Sequence, residues 1–138
     1  MNREGNEARQ DREEDRGTMD QEAVANRVIG LAIKVHRALG PGLLENVYGD
    51  CLALEIFRAG MRVEKQVELP LVYEGMRFER AYRADLIVER LVILEIKSIE
   101  TILPVHVSQL LTYLRLSGCH IGLLLNFNTK LLKMASAA

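Results

Sequence analysis

The segment from Tyr82 to Lys97 constrains the fold of this chain more than any other. It contains two apolar runs joined by a short polar turn, which is typical of two adjacent β-strands. Side chains alternate between the two faces of a strand. One face of the second strand therefore carries Leu91, Ile93, Glu95 and Lys97, and the other face carries Val92, Leu94 and Ile96.

A carboxylate in each of these strands is the chemically unusual feature. Asp85 lies in the first strand and Glu95 in the second, close enough across a hairpin for the two groups to converge. Convergent carboxylates repel each other, and a bound cation relieves the repulsion; hard oxygen ligands suit Mg²⁺ or Mn²⁺. Lys97 would then lie beside the metal, where it could steady a nucleophilic water or a developing negative charge. The alternative is a surface ion-pair cluster on a half-exposed sheet, and spacing alone leaves both interpretations open.

Composition limits the class of protein. The chain of 138 residues fits one domain. Residues 1–20 carry seven acidic and four basic side chains and almost nothing apolar, which predicts a disordered tail before a domain over residues 21–138. That domain has a net charge of +2, which is no basic nucleic-acid footprint. No apolar run reaches the ~20 residues that span a bilayer, and the charged N-terminus is unlike a signal peptide.

The two cysteines, Cys51 and Cys119, lack metal-ligand spacing and are typical of buried, reduced thiols. With the absence of a membrane or secretion signal, they predict a cytoplasmic protein.

Periodicity along the chain predicts the element order ααβββαβ. Helical spacing covers residues 24–39, 43–59 and 105–116, and alternation or short apolar runs predict strands at 63–73, 77–89, 91–97 and 119–126. This order predicts an α/β (α+β) domain with one mixed central sheet flanked by helices. Glu45 falls in the first turn of the second helix, where the helix dipole favours an anion and from where its carboxylate could approach the sheet.

Five short motifs follow one another along these elements: Gly42-Leu43-Leu44-Glu45-Asn46-Val47-Tyr48, Tyr82-Arg83-Ala84-Asp85-Leu86, Glu95-Ile96-Lys97, Gln109-Leu110-Leu111-Thr112-Tyr113-Leu114 and Gly122-Leu123-Leu124-Leu125-Asn126-Phe127. In this order they resemble the PD-(D/E)XK nuclease superfamily, and more closely the small bacterial proteins of the GxxExxY family. Each motif alone is weak, but five in the right order are a strong signal. The resemblance covers residues 26–133.

The resemblance implies a restriction-endonuclease-like core and a role for each matching residue. Asp85 and Glu95 would be ligands of Mg²⁺ or Mn²⁺. The main-chain carbonyl of Ile96 would be a third protein ligand, and Glu45 would be the helical carboxylate that completes the metal site. Lys97 would help to position or deprotonate the attacking water and would stabilise the pentacovalent phosphate.

Three further residues are candidates for the site. Gln109 and Tyr113 match the Gln-x-x-x-Tyr helix of the RecB-like exonuclease branch, where such residues support catalysis or touch substrate. Without the resemblance, they would be the polar edge of a core helix. Tyr48 lies one turn from Glu45, and its two open roles are contact with substrate and packing with its hydroxyl at the surface.

The implied function is metal-dependent hydrolysis of phosphodiester bonds in DNA by metal-activated water. An alternative is a catalytically silent nuclease fold that serves as a dimeric interaction or nucleic-acid-binding module, and the near-neutral charge favours it. Hydrolysis of a smaller phosphoester is a third possibility. Relatives of this kind usually continue into a further strand. Here Leu131-Leu132-Lys133-Met134 is followed by Ala135-Ser136-Ala137-Ala138 instead. We therefore expect the last edge strand to be missing or replaced, and the open edge is compatible with a homodimer.

Overall fold

The structure is a computed structural model that describes residues 20–137. The predicted tail therefore lies outside the described residues, apart from Asp20. Within residues 20–137 there are three helices and five strands: α1 (Gln21–Leu39), α2 (Glu45–Arg58), β1 (Val63–Tyr73), β2 (Met76–Val88), β3 (Val92–Lys97), α3 (Pro104–Ser117), β4 (Ile121–Asn126) and β5 (Lys133–Ala137).

The five strands form one sheet in the order β1-β2-β3-β4-β5. The pairs β1–β2, β2–β3 and β4–β5 are antiparallel, and β3–β4 is parallel because α3 carries the chain from the end of one strand back to the start of the next. The predicted α/β (α+β) domain with a mixed central sheet is confirmed. Strand β3, which carries Glu95 and Lys97, lies at the centre of the sheet.

The expectation of a missing last strand is wrong. Residues 133–137 form β5, which pairs antiparallel with β4 from Asn126↔Lys133 to Gly122↔Ala137. The element order is therefore ααβββαββ. Ala135 and Ala137 pack against the core under α3, so small side chains form a strand here because β4 offers them a backbone partner. The edge of the sheet at this end is β5, not β4.

Two apolar cores cover the two faces of the sheet. Helices α1 and α2 pack on one face through residues that include Val24, Val28, Tyr48, Leu52 and Ile56, and α3 packs on the other through Leu110 and Leu114. The alternation predicted for β3 is observed: Val92, Leu94 and Ile96 belong to the first core and Ile93 to the second. Neither face of β3 is therefore open to solvent along most of its length.

Local signals explain where the helices begin and end. The Asp20 side chain caps α1 by accepting a hydrogen bond from the amide of Glu22. Helix α3 begins at Pro104, where the amide of Leu103 donates to Nδ1 of His106 at 2.8 Å, and it is capped at its end by Gly118 with φ of 77°.

Among the helices of residues 20–137, none is long and apolar enough to cross a bilayer.

Helix α3 approaches β4 very closely. A Cβ atom added to Gly122 would lie 2.8 Å from Cδ1 of Leu110. The absence of a side chain at Gly122 therefore sets the distance at which α3 packs on the sheet.

The outer part of the β1–β2 hairpin extends beyond both cores. We call residues 71–78 the hairpin tip. Its turn, Glu74-Gly75, has φ of 50° and 73°, the positive values that a tight two-residue hairpin turn requires. Tyr73, Met76 and Phe78 are all more than half exposed there.

Candidate active site

Strands β2 and β3 are held together by side chains at the point where their regular pairing stops. The register runs from Val88↔Val92 to Leu86↔Leu94, and one step further it brings Asp85 opposite Glu95. There the carboxylate of Asp85 accepts a hydrogen bond from the Ile96 amide at 2.7 Å, and that of Glu95 accepts one from the Asp85 amide at 3.2 Å. The predicted convergence of these two carboxylates is therefore present, in a largely buried place where Glu95 is only 6% exposed.

Burial controls the protonation of the pair. It raises the pKa of Glu95 to about 8, and the neighbouring Asp85 charge adds to this shift. Burial also raises the pKa of Asp85, although the hydrogen bond from the Ile96 amide and the Lys97 charge oppose the shift. Without a cation, the pair therefore retains one proton at neutral pH.

Lys97 supplies a positive charge beside the pair without forming a contact ion pair. Its charge lowers the pKa of both carboxyl groups. Among residues 20–137, however, no carboxylate lies within 4.0 Å of the Lys97 ammonium group. A surface ion-pair cluster would show solvated carboxylates in contact with the lysine, so the geometry favours a chemical site over that alternative.

Helix α2 brings a third carboxylate to the end of β3. Glu45 is the first residue of α2, and its Oε1 accepts a hydrogen bond from the Ser98 amide at 3.1 Å. The Ser98 hydroxyl donates to the carbonyl of Leu43 at 2.9 Å, which ties the start of α2 to the same place. Glu45 and Asp85 line one cavity of about 530 Å³ together with Ile96, Ser98 and Lys65. The charge of Glu45 contributes to the raised pKa of Asp85.

The three predicted carboxylate ligands do not form one cluster. Within residues 20–137, no three His, Cys, Asp or Glu side chains are close enough together to hold a metal ion by themselves. Glu45 instead accepts a hydrogen bond from the Ser98 amide and lines the same cavity as Asp85. The set that remains for a metal is the carboxylates of Asp85 and Glu95 with the main-chain oxygen of Ile96.

This smaller set fits Mg²⁺ or Mn²⁺. Mg²⁺ keeps several of its waters and is commonly bound through one or two carboxylates together with substrate phosphates. The carboxyl groups of Asp85 and Glu95 together retain one proton at neutral pH. Once that proton leaves, they offer a cation the negative charge that it requires. The donor atoms are all oxygens, which matches the preference of these hard cations.

Helix α3 contributes a tyrosine to the other side of the pair. Burial, together with the charges of Glu95 and Asp85, raises the pKa of Tyr113, so its phenol lies within electrostatic reach of both carboxylates. Its ring packs edge to face on Tyr82 of β2, with ring centroids 5.7 Å apart. Gln109 lies one turn earlier on the same helix and is exposed. The structure therefore packs Tyr113 against Tyr82, where the charges of both carboxylates raise its pKa, and leaves Gln109 at the surface of α3.

Tyr48 lies behind the site and does not line the cavity. It is fully buried, and its ring stacks on Phe127 with centroids 4.5 Å apart. Its hydroxyl donates to the Gly40 carbonyl and accepts from the Leu43 amide. As a correction to the predicted substrate contact, Tyr48 has the packing role, with its hydroxyl turned inward to hold the loop that leads into Glu45.

Sequence reasoning did not single out Asn126 or Ser98, although both hold the site in place. Asn126 is 1% exposed; it accepts a hydrogen bond from the Ile99 amide and donates one to the Ile99 carbonyl. The next amide, that of Phe127, donates to the carbonyl of Lys97. Asn126 therefore fixes the segment after β3. The available signal was a polar side chain at the end of the apolar run Leu123-Leu124-Leu125.

A mixed five-stranded sheet between helices, with acidic residues where its central strands separate, is consistent with a restriction-endonuclease-like fold. A family model described as the PD-(D/E)XK nuclease superfamily matches residues 22–136, and the chain belongs to this superfamily. The superfamily that the motifs indicate is thereby confirmed, and membership implies nucleic-acid binding and, in general, dependence on a divalent metal. A search of curated proteins and a search of solved structures each gave no match.

Proposed function

We propose that this protein is a Mg²⁺- or Mn²⁺-dependent nuclease of the GxxExxY family that hydrolyses phosphodiester bonds in DNA. The observation that carries the proposal is the Asp85–Glu95 pair, in which Asp85 is half-buried, Glu95 is buried and the pKa of Glu95 is raised to about 8. Two carboxylates in this environment are ionised together at neutral pH only when a cation compensates their charge.

Asp85, Glu95 and the Ile96 carbonyl would hold the metal, which would supply charge neutralisation at the phosphate and activation of water. Lys97 follows Glu95 by two residues on β3, and its ammonium group would position the attacking water and stabilise charge on the pentacovalent phosphate. Glu45, fixed by the Ser98 amide in the cavity that Asp85 also lines, would orient water beside the pair. Its role in this proposal is positioning rather than the direct metal ligation that the resemblance implies.

Tyr113 and Gln109 would contact the substrate from α3. Tyr113 lies beside the pair, and Gln109 lies one turn away on the exposed surface of the same helix. An incoming strand that reaches Asp85 and Glu95 on this side of the sheet would pass over Tyr113.

The test compares wild type with three variants in Mn²⁺ titration calorimetry and in cleavage of labelled DNA and RNA. We expect Asp85→Asn to lose metal binding and cleavage, and Lys97→Ala to bind metal while losing cleavage by at least ~100-fold. Asp20→Asn is the matched control, because asparagine caps a helix as well as aspartate and Asp20 lies at the start of α1. The proposal would be refuted if folded wild type does not bind Mn²⁺, either alone or with a DNA oligomer, and does not cleave DNA or RNA.

A second candidate function is that of a catalytically silent interaction module that acts as a homodimer. The exposed apolar side chains of the hairpin tip, Tyr73, Met76 and Phe78, favour it because contiguous apolar surface is typical of interaction sites. This candidate predicts DNA or protein association that is indifferent to Asp85→Asn and Lys97→Ala and is lost in Phe78→Ser. The same set of variants therefore separates the two functions.

A further inference from the structure

An aromatic surface near the carboxylate pair joins Tyr113, which the proposed function uses only as a general substrate contact, to Tyr82, to which that function assigns no role. Tyr82 lies on β2, three residues before Asp85, and opposite Leu69, which belongs to the core under α3. Its ring therefore lies on the α3 side of the sheet, where it meets Tyr113 with an interplanar angle of 63°. Tyr82 is 36% exposed and Tyr113 is half-buried, so both rings reach solvent.

The geometry of this pair leaves aromatic surface free. In an edge-to-face pair, the edge of one ring covers one face of the other, and the remaining faces are not used by the contact. The two phenols add polar groups at the rim of an otherwise apolar surface. The buried side chains that pack α3 onto the sheet are Leu110 and Leu114, and Tyr113 packs, partly exposed, against the same core.

The low net charge of the domain favours a stacking contribution. Nucleic-acid affinity usually comes from Lys and Arg contacts to phosphates, and here residues 21–138 carry a formal net charge of only +2. Two carboxylates and Glu45 also lie at the site. Stacking of a base on an aromatic side chain is insensitive to sequence and requires no net positive charge.

We propose that Tyr82 and Tyr113 form a stacking platform for an unpaired base next to the phosphate held at Asp85 and Glu95, so that the substrate class is single-stranded nucleic acid or a single-stranded end. The position of the phosphate rests on the proposed function. A base stacks on a side chain only when its face is free, and bases inside a duplex are covered by their neighbours on both sides. Tyr82 thereby becomes a specificity-determining residue that selects unpaired strands.

The experiment measures the fluorescence anisotropy of a labelled oligothymidylate, an abasic oligomer of the same length and a blunt duplex, with Ca²⁺ in place of Mg²⁺. The variants are Tyr82→Leu, which keeps apolar bulk without a ring, and Tyr82→Phe, which keeps the ring. Phe57→Leu is the control, because Phe57 is an exposed aromatic side chain on α2, outside the surfaces to which a function is assigned above. We expect Tyr82→Leu to bind the oligothymidylate at least ~10-fold more weakly than wild type, with Tyr82→Phe and Phe57→Leu unchanged.

The abasic oligomer keeps the test independent of whether Tyr82→Leu folds. We expect wild type to bind it at least ~10-fold more weakly than the oligothymidylate, because the phosphates remain and only the bases are removed. The platform is overturned if wild type binds the two oligomers equally, or if Tyr82→Leu binds oligothymidylate as tightly as Phe57→Leu.

Cleavage in Mg²⁺ separates this inference from the proposed function. Cleavage of blunt duplex that is unaffected in Tyr82→Leu would support the nuclease and overturn the platform. Strand binding that depends on Tyr82 in a protein that cleaves nothing would support the platform and overturn the nuclease. Wild type that binds none of the three probes overturns both.

Discussion

Asp85 and Glu95 each accept a hydrogen bond from the backbone of the opposite strand, at 2.7 Å from the Ile96 amide and 3.2 Å from the Asp85 amide. These two bonds replace the regular ladder where β2 and β3 separate. The carboxylates therefore fix their own positions, and a metal would find its two charged ligands already aligned. Substitutions that test the site should keep the amide or carboxyl shape, because loss of either acceptor leaves a buried N–H without its partner.

Stability should fall as pH rises in metal-free protein. The pKa of Glu95 is about 8 in the folded protein, against 4.5 as the ordinary value. Below pH 4.5 both states hold the proton, between 4.5 and 8 only the folded state holds it, and above 8 both have lost it. The unfolding free energy contributed by this group is therefore complete below pH 4.5 and lost as pH rises through 8. We expect a decrease of about 2–4 kcal/mol between pH 5 and 8.5, measured by urea unfolding in chelator.

Glu95→Gln isolates this contribution. Glutamine keeps the hydrogen bond from the Asp85 amide and removes the titration, so the variant should show a flatter pH profile and exceed wild type in stability at pH 8.5. Glu55→Gln is the control, because Glu55 pairs with an exposed Lys34 at 2.9 Å and lies on α2, away from the pair. A profile of Glu95→Gln parallel to that of wild type would contradict the assignment.

Metal binding should release a proton. A cation competes with the proton that the pair retains, so Mn²⁺ affinity should rise by up to ~10-fold per pH unit between pH 6 and 8 and level off above 8. Titration calorimetry in two buffers of different ionisation enthalpy should give about one proton released per Mn²⁺ at pH 7. Affinity that does not change over this range would mean that the metal binds elsewhere.

Gly122→Ala should destabilise the protein by about 1–3 kcal/mol, because the new Cβ would lie 2.8 Å from Cδ1 and 2.9 Å from Cγ of Leu110. Gly30→Ala is the control: it lies on the exposed side of α1 with no atom within 4 Å of the added Cβ, and should be neutral or stabilising by up to ~1 kcal/mol. Thermal unfolding measures both. The double variant Gly122→Ala/Leu110→Val should lose less stability than the two single changes added together, because the smaller side chain relieves the contact.

Tyr48→Phe should lower stability by about 1–3 kcal/mol and leave strand affinity within ~2-fold of wild type. The change removes the hydroxyl that links the Gly40 carbonyl to the Leu43 amide and leaves both without this partner. Unfolding in urea and the oligothymidylate anisotropy give the two readouts. Tyr73→Phe at the exposed hairpin tip is the matched control and should change neither. A loss of affinity with unchanged stability would restore Tyr48 to the substrate-binding role.

The sequence predicts the elements that alternate cleanly and the residues whose chemistry is unusual for their place. In β3, apolar side chains face both cores, so a charged residue such as Glu95 is unusual there and could be recognised as a site residue. Its convergence with Asp85 followed from hairpin geometry. Strand β5 was not predicted because Lys133-Met134-Ala135-Ser136-Ala137 contains no β-branched residue. Its extended conformation results from pairing with β4. The burial of Tyr48 was not predicted for a similar reason, because it depends on stacking against Phe127, which is distant along the chain.

The parallel pairing of β3 with β4 has a consequence for the order in which the protein is made. A chain that has emerged from the ribosome only as far as Lys97 already holds both carboxylates, but β3 still lacks its second neighbour. That neighbour arrives after α3 has been synthesised, and Asn126 at its end then ties down the segment behind Lys97. Completion of the site therefore waits for contacts that are distant in sequence, which form slowly. A nascent chain surrounded by ribosomal RNA thus carries the acidic pair well before it carries the frame that aligns it.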